Sequence, residues 1–104
     1  MAQAKVLLID TKYMSEFYFT KEPAALAQFL LSEGYYDIRA TVDLPYLEGE
    51  AAAEEIFDLT NNPYRQAERE QLYGRGRSLS VGDIVEADGR KWLCCSTGWK
   101  ALAV

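Results

Sequence analysis

The stretch SVGDIVEADGRKWLCC, residues 80–95, decides the fold of this 104-residue chain. It contains two β-favouring runs, residues 84–87 and 90–95, separated only by Asp88-Gly89. Asp-Gly between two such runs is a strong hairpin signal, because both central positions of a type I′ turn need a positive φ. The stretch therefore predicts an antiparallel β-hairpin.

Four other segments have the patterns of strands. Residues 5–10 form a short, nearly continuous apolar run, which predicts a buried strand. Residues 36–43 alternate apolar and polar side chains, which predicts a strand with one buried face and one wet face. A short aromatic run at residues 16–20 predicts a strand that pairs with the first one through a hairpin loop. After a turn at residues 96–98, residues 99–104 predict the last strand.

Three segments between these strands carry helix signals. The first helix begins near Pro23, which is tolerated in a first turn, and ends at Gly34. Its apolar residues, which we expect to face the core, are Leu26, Phe29 and Leu30. Residues 50–57 combine alanine's high helix propensity with acidic residues near the positive end of the helix dipole. Asn62 as N-cap and Pro63 in the first position begin a third, polar helix.

Together these elements predict an α+β fold. The length is that of one ordinary domain, so we expect a single domain that spans residues 1–104. Its sheet is mostly antiparallel and carries two or three helices, in the order ββαβααβββ.

The composition favours a globular protein of the cytoplasm. The hydrophobic fraction of 49% and the charged fraction of 26% are those of a folded globular chain. No apolar run approaches the roughly 20 residues that a membrane helix needs, and the apolar stretch at residues 6–9 is far shorter than a secretory signal core. We therefore expect a cytoplasmic location and no membrane contact.

Cysteine and histidine usage argues against metal and catalytic chemistry. The chain has no histidine, and its two cysteines, Cys94 and Cys95, are adjacent. A structural zinc site normally has four Cys, His or carboxylate ligands, and the common Ser-His and Cys-His pairs need a histidine. In a strand, adjacent side chains point to opposite faces, so both thiols are expected to pack as small buried groups. We expect no metal, no cofactor and no catalytic residue.

Charge is distributed unevenly along the chain, whose net charge is -5. Residues 1–60 contain four Lys/Arg against eleven Asp/Glu, whereas residues 61–104 contain seven against five. A surface formed by the later basic residues would attract phosphate-bearing or acidic partners. The alternative is an ordinary solvated face, partly neutralised by Glu68 and Glu70. The basic residues concerned are Arg65, Arg69, Arg75, Arg77, Arg90, Lys91 and Lys100.

The glycine-rich segment YGRGRSLSVGDIV, residues 73–85, joins the polar helix to the final strands. Two arginines flank Gly76, an arrangement that suits an anion, because guanidinium groups offer paired donors and glycine lets backbone amides approach. The alternative is a turn without a ligand, in which Gly82 supplies a positive φ and Asp83 accepts local backbone hydrogen bonds. The candidate binding residues of this surface are Arg75, Arg77, Ser78, Ser80 and Trp99.

Part of this segment resembles a known family. Residues 76–85, GRSLSVGDIV, followed by a hairpin and Gly98-Trp99, resemble the GRSLSVSDVV…GF signature of YodL-like domains. An F…N…P lead-in from residue 57 is also similar, while Gly82 and Trp99 stand where serine and phenylalanine are common. The resemblance implies a small protein or module of plasmids, conjugative elements and phages, and it implies no particular activity.

These observations lead us to expect a non-enzymatic accessory protein of a mobile genetic element, which binds a protein partner around Arg75, Arg77 and Trp99. One alternative is a nucleic-acid-binding module, which a continuous positive patch free of Asp and Glu would favour. Its phosphate contacts would be Arg65, Arg69, Arg75, Arg77 and Lys91. Another is a small enzyme with a carboxylate or cysteine centre, which a deep pocket with two polar groups of perturbed pKa would favour.

Overall fold

The chain forms a five-stranded antiparallel sheet with helices on both faces, in a computed structural model that describes residues 3–44 and 46–102. The strands are β1 (Gln3–Ile9), β2 (Tyr36–Asp43), β3 (Ile84–Ala87), β4 (Arg90–Cys95) and β5 (Gly98–Ala101). The α-helices of the described residues are α1 (Glu16–Phe19), α2 (Pro23–Ser32), α3 (Gly49–Asn61) and α4 (Gln66–Leu72). Single 3-10 turns lie at Thr11–Tyr13 and Pro63–Arg65. The predicted α+β fold is confirmed, with four α-helices in the described residues where two or three were predicted.

Strand β1 lies in the interior of the sheet, because the spatial order is β2-β1-β3-β4-β5. It pairs antiparallel with β2 on one side and with β3 on the other. Val6 and Ile9 are almost fully buried, and their neighbour Leu7 is buried on the opposite face from Val6. The apolar run therefore forms a strand covered on both faces, as its lack of alternation predicts.

Each face of the sheet packs against its own helix. On one face, α3 contributes Ile56 and Leu59 to a core that includes Val6 and Val85. On the other face, α2 contributes Leu30 to a core with Leu7, Ile9 and Ile84. Complete burial of a side chain such as Ile56 contributes about 1.5–3 kcal/mol, so both helices are held mainly by packing.

The Asp-Gly hairpin is confirmed. Asp88 and Gly89 have φ values of 55° and 75°, the left-handed conformation that a type I′ turn requires. Strands β3 and β4 flank the turn, with Ala87 paired to Arg90. The Asp88 carboxylate also accepts a hydrogen bond of 3.0 Å from the backbone N–H of Gly49, so the turn is tied to the start of α3.

The predicted strand at residues 16–20 is wrong, since Glu16–Phe19 is a single-turn helix, α1. Both edges of β1 are already occupied by β2 and β3, so no position remains for a local hairpin partner. The Asp10 carboxylate accepts the backbone N–H of Lys12 and begins the 3-10 turn that leads into α1. The aromatic run instead provides Phe17 to the core.

The alternation in β2 is interrupted by a β-bulge. Val6 pairs with Ala40 and Leu7 with Ile38, which leaves Arg39 as the extra residue. Because of this extra residue, the side chains before the bulge point to the face opposite to the one that strict alternation with the residues after it predicts. The expectation that Ile38 is buried is therefore wrong, since its side chain is 64% exposed, whereas Val42 is buried as predicted.

The helix predictions hold with two corrections. Gly34 follows α2 with φ 82°, and the Asn62 side chain accepts the backbone N–H of Tyr64, as predicted for a helix end and a cap. Phe29 was expected in the core and is 58% exposed, because α2 buries Ala27 and Leu30 instead. The third helix begins as a 3-10 turn and continues as α4.

No helix within residues 3–44 and 46–102 has the length and apolar character needed to cross a membrane. The last predicted strand is observed as β5, and the part of that prediction at residues 103 and 104 lies outside the described residues.

Candidate functional site

The glycine-rich segment is built around Asp83, whose side chain is completely buried. One carboxylate oxygen accepts the backbone N–H of Ile9 at 2.8 Å, and the other accepts that of Ser80 at 2.7 Å. Buried carboxylates need such partners, because an unpaired buried charge is strongly unfavourable. Asp83 therefore joins the segment to the end of the interior strand β1.

Arg77 forms a two-pronged ion pair with the same carboxylate. Its Nη1 and Nη2 donate to the two Asp83 oxygens at 2.6 and 2.9 Å, and Nη2 also donates to the backbone carbonyl of Ile9 at 2.9 Å. The hydrogen bond to Asp83 raises the pKa of Arg77 above its usual value. Tyr73 fixes the backbone of Arg77, since its hydroxyl donates to the Arg77 carbonyl at 2.7 Å. Arg77 is thus engaged inside the fold.

The two serines of the segment also make internal contacts. The Ser78 hydroxyl donates to the Thr60 carbonyl at 2.7 Å and accepts from Arg69 Nη1 at 2.9 Å. The Ser80 backbone N–H donates to Asp83, while its hydroxyl lies near the Ser78 carbonyl. The Ser78 hydroxyl thus attaches the segment to the end of α3, while the Ser80 contacts stay within the segment.

Gly82 occupies a position that a larger residue would not fit. Its φ is 98°, and a Cβ atom built there would lie 2.7 Å from the Phe17 ring. The Tyr36 hydroxyl donates to the Gly82 carbonyl at 2.6 Å, and burial of Tyr36 raises the pKa of that hydroxyl. The turn before β3 is therefore packed between α1 and β2.

A surface cavity of about 630 Å³ lies beside this segment, between the end of α3 and one side of α4. We call it the glycine-loop pocket. Its volume lies within the roughly 300–1,000 Å³ range of ligand pockets. Its described lining consists of Thr60, Asn61, Asn62, Pro63, Gln66, Arg69, Glu70, Gly74, Arg75, Gly76 and Ser78.

Residues 74–76 of the glycine-rich segment line the pocket, and we call them the glycine loop. Three arginines surround this loop. Arg69 donates to the carbonyls of Thr60 and Gly76, and Arg39 stacks on the Tyr73 ring at 5.1 Å. The Arg75 side chain is exposed. Among the described residues, no carboxylate pairs with any of these three guanidinium groups.

The other arginine beside α3 is fully neutralised. Arg65 contacts three carboxylates, those of Glu55, Asp58 and Glu68, each at 2.8 or 2.9 Å. These hydrogen bonds, with Glu55 the largest contributor, raise the pKa of Arg65 above its usual value. Arg65 thus fastens α4 to α3 and adds little positive potential to the surface.

The structure separates the residues predicted for the binding surface. Arg75 and Ser78 line the glycine-loop pocket, whereas Arg77 and Ser80 lie behind it on Asp83. Trp99 is not part of the lining. Its Nε1 donates to the Glu54 carboxylate, and its ring meets Phe57 edge-on at 6.4 Å.

Sequence reasoning missed two features of the pocket. Arg39 was placed on the wet face of β2, and only the bulge turns its guanidinium toward the glycine loop, close to Gly74 and Gly76. Asn61 is the second feature, since its side-chain amide donates to the Leu79 carbonyl at 3.0 Å and so fixes the pocket wall. Nothing in a single sequence signals the bulge.

The two cysteines are free thiols on opposite faces of β4. Cys94 is buried, and this burial raises the pKa of its thiol from 9.0 to about 12. The pKa of Cys95 is raised for the same reason. Within the described residues, no group of three or more His, Cys, Asp or Glu side chains is placed to hold a metal ion.

We expect burial of Cys94 to make the fold less stable in alkali. As the pH rises from about 9 toward 12, the unfolded thiol ionises while the folded thiol stays neutral, so the free energy of unfolding falls. Urea unfolding at a series of pH values measures this loss. Cys94→Ala should make the fall in unfolding free energy with pH shallower. The fall does not vanish, because buried tyrosines also contribute to it. A fall parallel to that of the wild type would contradict the expectation.

Comparison of the chain with protein-family models, with curated proteins and with solved structures found no match. The resemblance of residues 57–99 to YodL-like domains stays a prediction.

Proposed function

We propose that this chain is a non-enzymatic protein-binding module, a cytoplasmic accessory protein of a mobile genetic element, whose partner contacts the glycine-loop pocket. The observation that carries the proposal is the pocket itself, which is bordered by arginines that no described carboxylate neutralises. Such a site offers unused hydrogen-bond donors and positive charge to a partner.

The walls of the pocket are fixed before any partner arrives. Arg69 connects the carbonyls of Thr60 and Gly76, while Arg77 and Asp83 hold the following residues onto β1. A preorganised surface loses little conformational entropy on binding, which favours affinity. This rigidity supports a recognition role for the pocket.

A nucleic-acid-binding role receives less support. Two of the five basic residues proposed for phosphate contacts, Arg65 and Arg77, are occupied by carboxylates. Glu70 lies in the pocket lining, and Glu68 lies beside Arg65. A run of phosphates would meet these acidic groups as well as the arginines, so the positive patch is not continuous.

An enzymatic role also receives less support. Among the described lining residues, Glu70 is the one carboxylate, and there is no cysteine, lysine or tyrosine. The Ser78 hydroxyl is hydrogen-bonded to the Thr60 carbonyl and to Arg69, neither of which can serve as its general base. The pocket therefore lacks the paired groups that acid–base or nucleophilic catalysis needs.

Filling the pocket tests the proposal. Gln66 is an exposed lining residue of α4, so Gln66→Trp should occupy the cavity without a change of charge. Affinity capture with the wild type identifies a partner, and calorimetric titration of that purified partner should then show binding weakened by about tenfold or more, equivalent to about 1.4 kcal/mol.

Gln71→Trp is the matched control. Gln71 is an exposed residue of the same helix that does not line the pocket, so the same substitution there should leave the affinity within about twofold of the wild type. Equal binding by wild type and Gln66→Trp would contradict the proposed function, and so would an equal loss in both variants.

A further inference from the structure

The main chain of the glycine loop carries hydrogen-bond donors that the fold leaves unused. Among the described residues, none accepts a hydrogen bond from the backbone N–H of Arg75 or Gly76. Gly76 has φ 135° and lies so close to Arg39 that a Cβ atom would come within 2.7 Å of its Nε. Successive free N–H groups next to a glycine with positive φ form a surface that favours anions.

The arginines beside this loop differ in how many of their hydrogen-bond donors are unused. Arg69 is occupied, because its Nη1 donates to Thr60 and Ser78 and its Nη2 donates to Gly76. Arg39 is stacked on Tyr73. Arg75 is exposed, and its guanidinium makes no hydrogen bond to any described residue. Arg69 and Arg39 thus supply fixed positive charge, while Arg75 retains a complete set of donors.

We infer that the glycine-loop pocket binds one carboxylate group of an acidic segment in the protein partner, held by the Arg75 guanidinium and the N–H groups of the loop. This inference rests on the proposed function, since it names the chemistry by which the partner is recognised. A guanidinium matches a carboxylate with two parallel hydrogen bonds.

The free hydrogen-bond donors of the site suit a single carboxylate. Glu70 belongs to the lining, and the net charge of the whole chain is -5. Arg75 is the one guanidinium of the three that neither donates to a described residue nor stacks on a described ring, and it matches one carboxylate through two parallel hydrogen bonds. A nucleic-acid strand would bring further phosphates toward Glu70 and Glu68. The occupant is therefore a carboxylate, not a polyanion.

Nuclear magnetic resonance of the ¹⁵N-labelled 104-residue chain tests this inference with short capped peptides. A tetraglutamate peptide, acetylated and amidated at its ends, should shift the amide resonances of Arg75 and Gly76 saturably, whereas tetraglutamine should not. Arg75→Ala should weaken this binding by about tenfold or more, because it removes the charge-assisted hydrogen bonds to the carboxylate. Arg75→Lys keeps the charge without the paired donors and should give an intermediate affinity.

Arg90→Ala is the matched control, since Arg90 is an exposed arginine next to the Asp88-Gly89 turn and outside the pocket lining. It removes the same charge and should change the affinity by no more than about twofold, because bulk charge is screened in physiological salt. An equal effect of Arg75→Ala and Arg90→Ala would overturn the inference. Equal shifts with tetraglutamine would also overturn it, as would tighter binding of inorganic phosphate or single-stranded oligothymidylate.

Failure of this inference is distinguishable from failure of the proposed function. If Gln66→Trp abolishes partner binding and Arg75→Ala leaves it unchanged, the pocket binds the partner without an anchoring carboxylate. If tetraglutamate binds as expected and Gln66→Trp leaves partner binding unchanged, the anion site stands and the proposed function is wrong.

Discussion

Asp83→Ala should lower the free energy of unfolding by about 3–5 kcal/mol, the usual effect of removing one partner of a buried ion pair. The substitution leaves the Arg77 guanidinium without its carboxylate and leaves the backbone N–H groups of Ile9 and Ser80 without their acceptor. Since small domains are stable by about 5–15 kcal/mol in total, the urea midpoint should fall by more than about 1 M.

The partner substitution provides the comparison. Arg77→Ala removes the ion pair but leaves Asp83 bonded to two backbone N–H groups, so its effect should be smaller than that of Asp83→Ala. The double variant should be less destabilised than the sum of the two single variants, because the side chains contact one another. Additive effects, or a loss below about 1 kcal/mol for Asp83→Ala, would show that this cluster does not hold the segment.

Gly82→Val should be the second strongly destabilised variant. A β-branched residue at φ 98° is strained by about 1–3 kcal/mol. The added side chain would also collide with the Phe17 ring, and overpacking of this kind costs about 1–3 kcal/mol more. Thermal unfolding followed by circular dichroism should show a melting temperature well below that of the wild type.

Two alanine variants separate backbone strain from collision. Gly98 has φ 118°, yet a Cβ atom built there meets nothing within 4 Å, so Gly98→Ala measures strain alone. Gly82→Ala adds the contact with Phe17 and should therefore melt at a lower temperature than Gly98→Ala. Equal melting temperatures would mean that α1 moves aside without penalty.

The parts of the fold that sequence predicts are those with a local cause. The type I′ turn follows from Asp88-Gly89 alone, and the unbroken apolar run at residues 6–9 predicts a strand covered on both faces. Residues 16–20 have strand-like composition, yet Glu16–Phe19 forms a helix, because the edges of β1 are taken by segments far away in the chain. Strand propensity depends on the local sequence and carries no information about which distant segments pair with β1.

The candidate site, like the fold, is predictable from the sequence only where its cause is local. The sequence identified Arg75 as a candidate for an anion and offered a turn without a ligand as the alternative. The internal role of Arg77 depends on Asp83, six residues later, and on Ile9, which lies 68 positions away. The guanidinium of Arg39 reaches the loop only because of a bulge that pairing with β1 creates. Long-range contacts therefore decide which arginines are free.

The pairing of β1 with strands on both sides has a consequence for how the chain acquires its structure during synthesis. The hydrogen bond from Ile9 to Asp83 closes a loop of 74 positions, and long-range closures of this kind slow folding. Ribosomes add about 5–20 residues per second, so roughly 4–15 seconds pass between the synthesis of β1 and that of β3. During that interval one edge of an apolar strand is open to pairing with other chains. Until β3 has been made, the nascent chain therefore exposes a strand edge that favours association with its own copies.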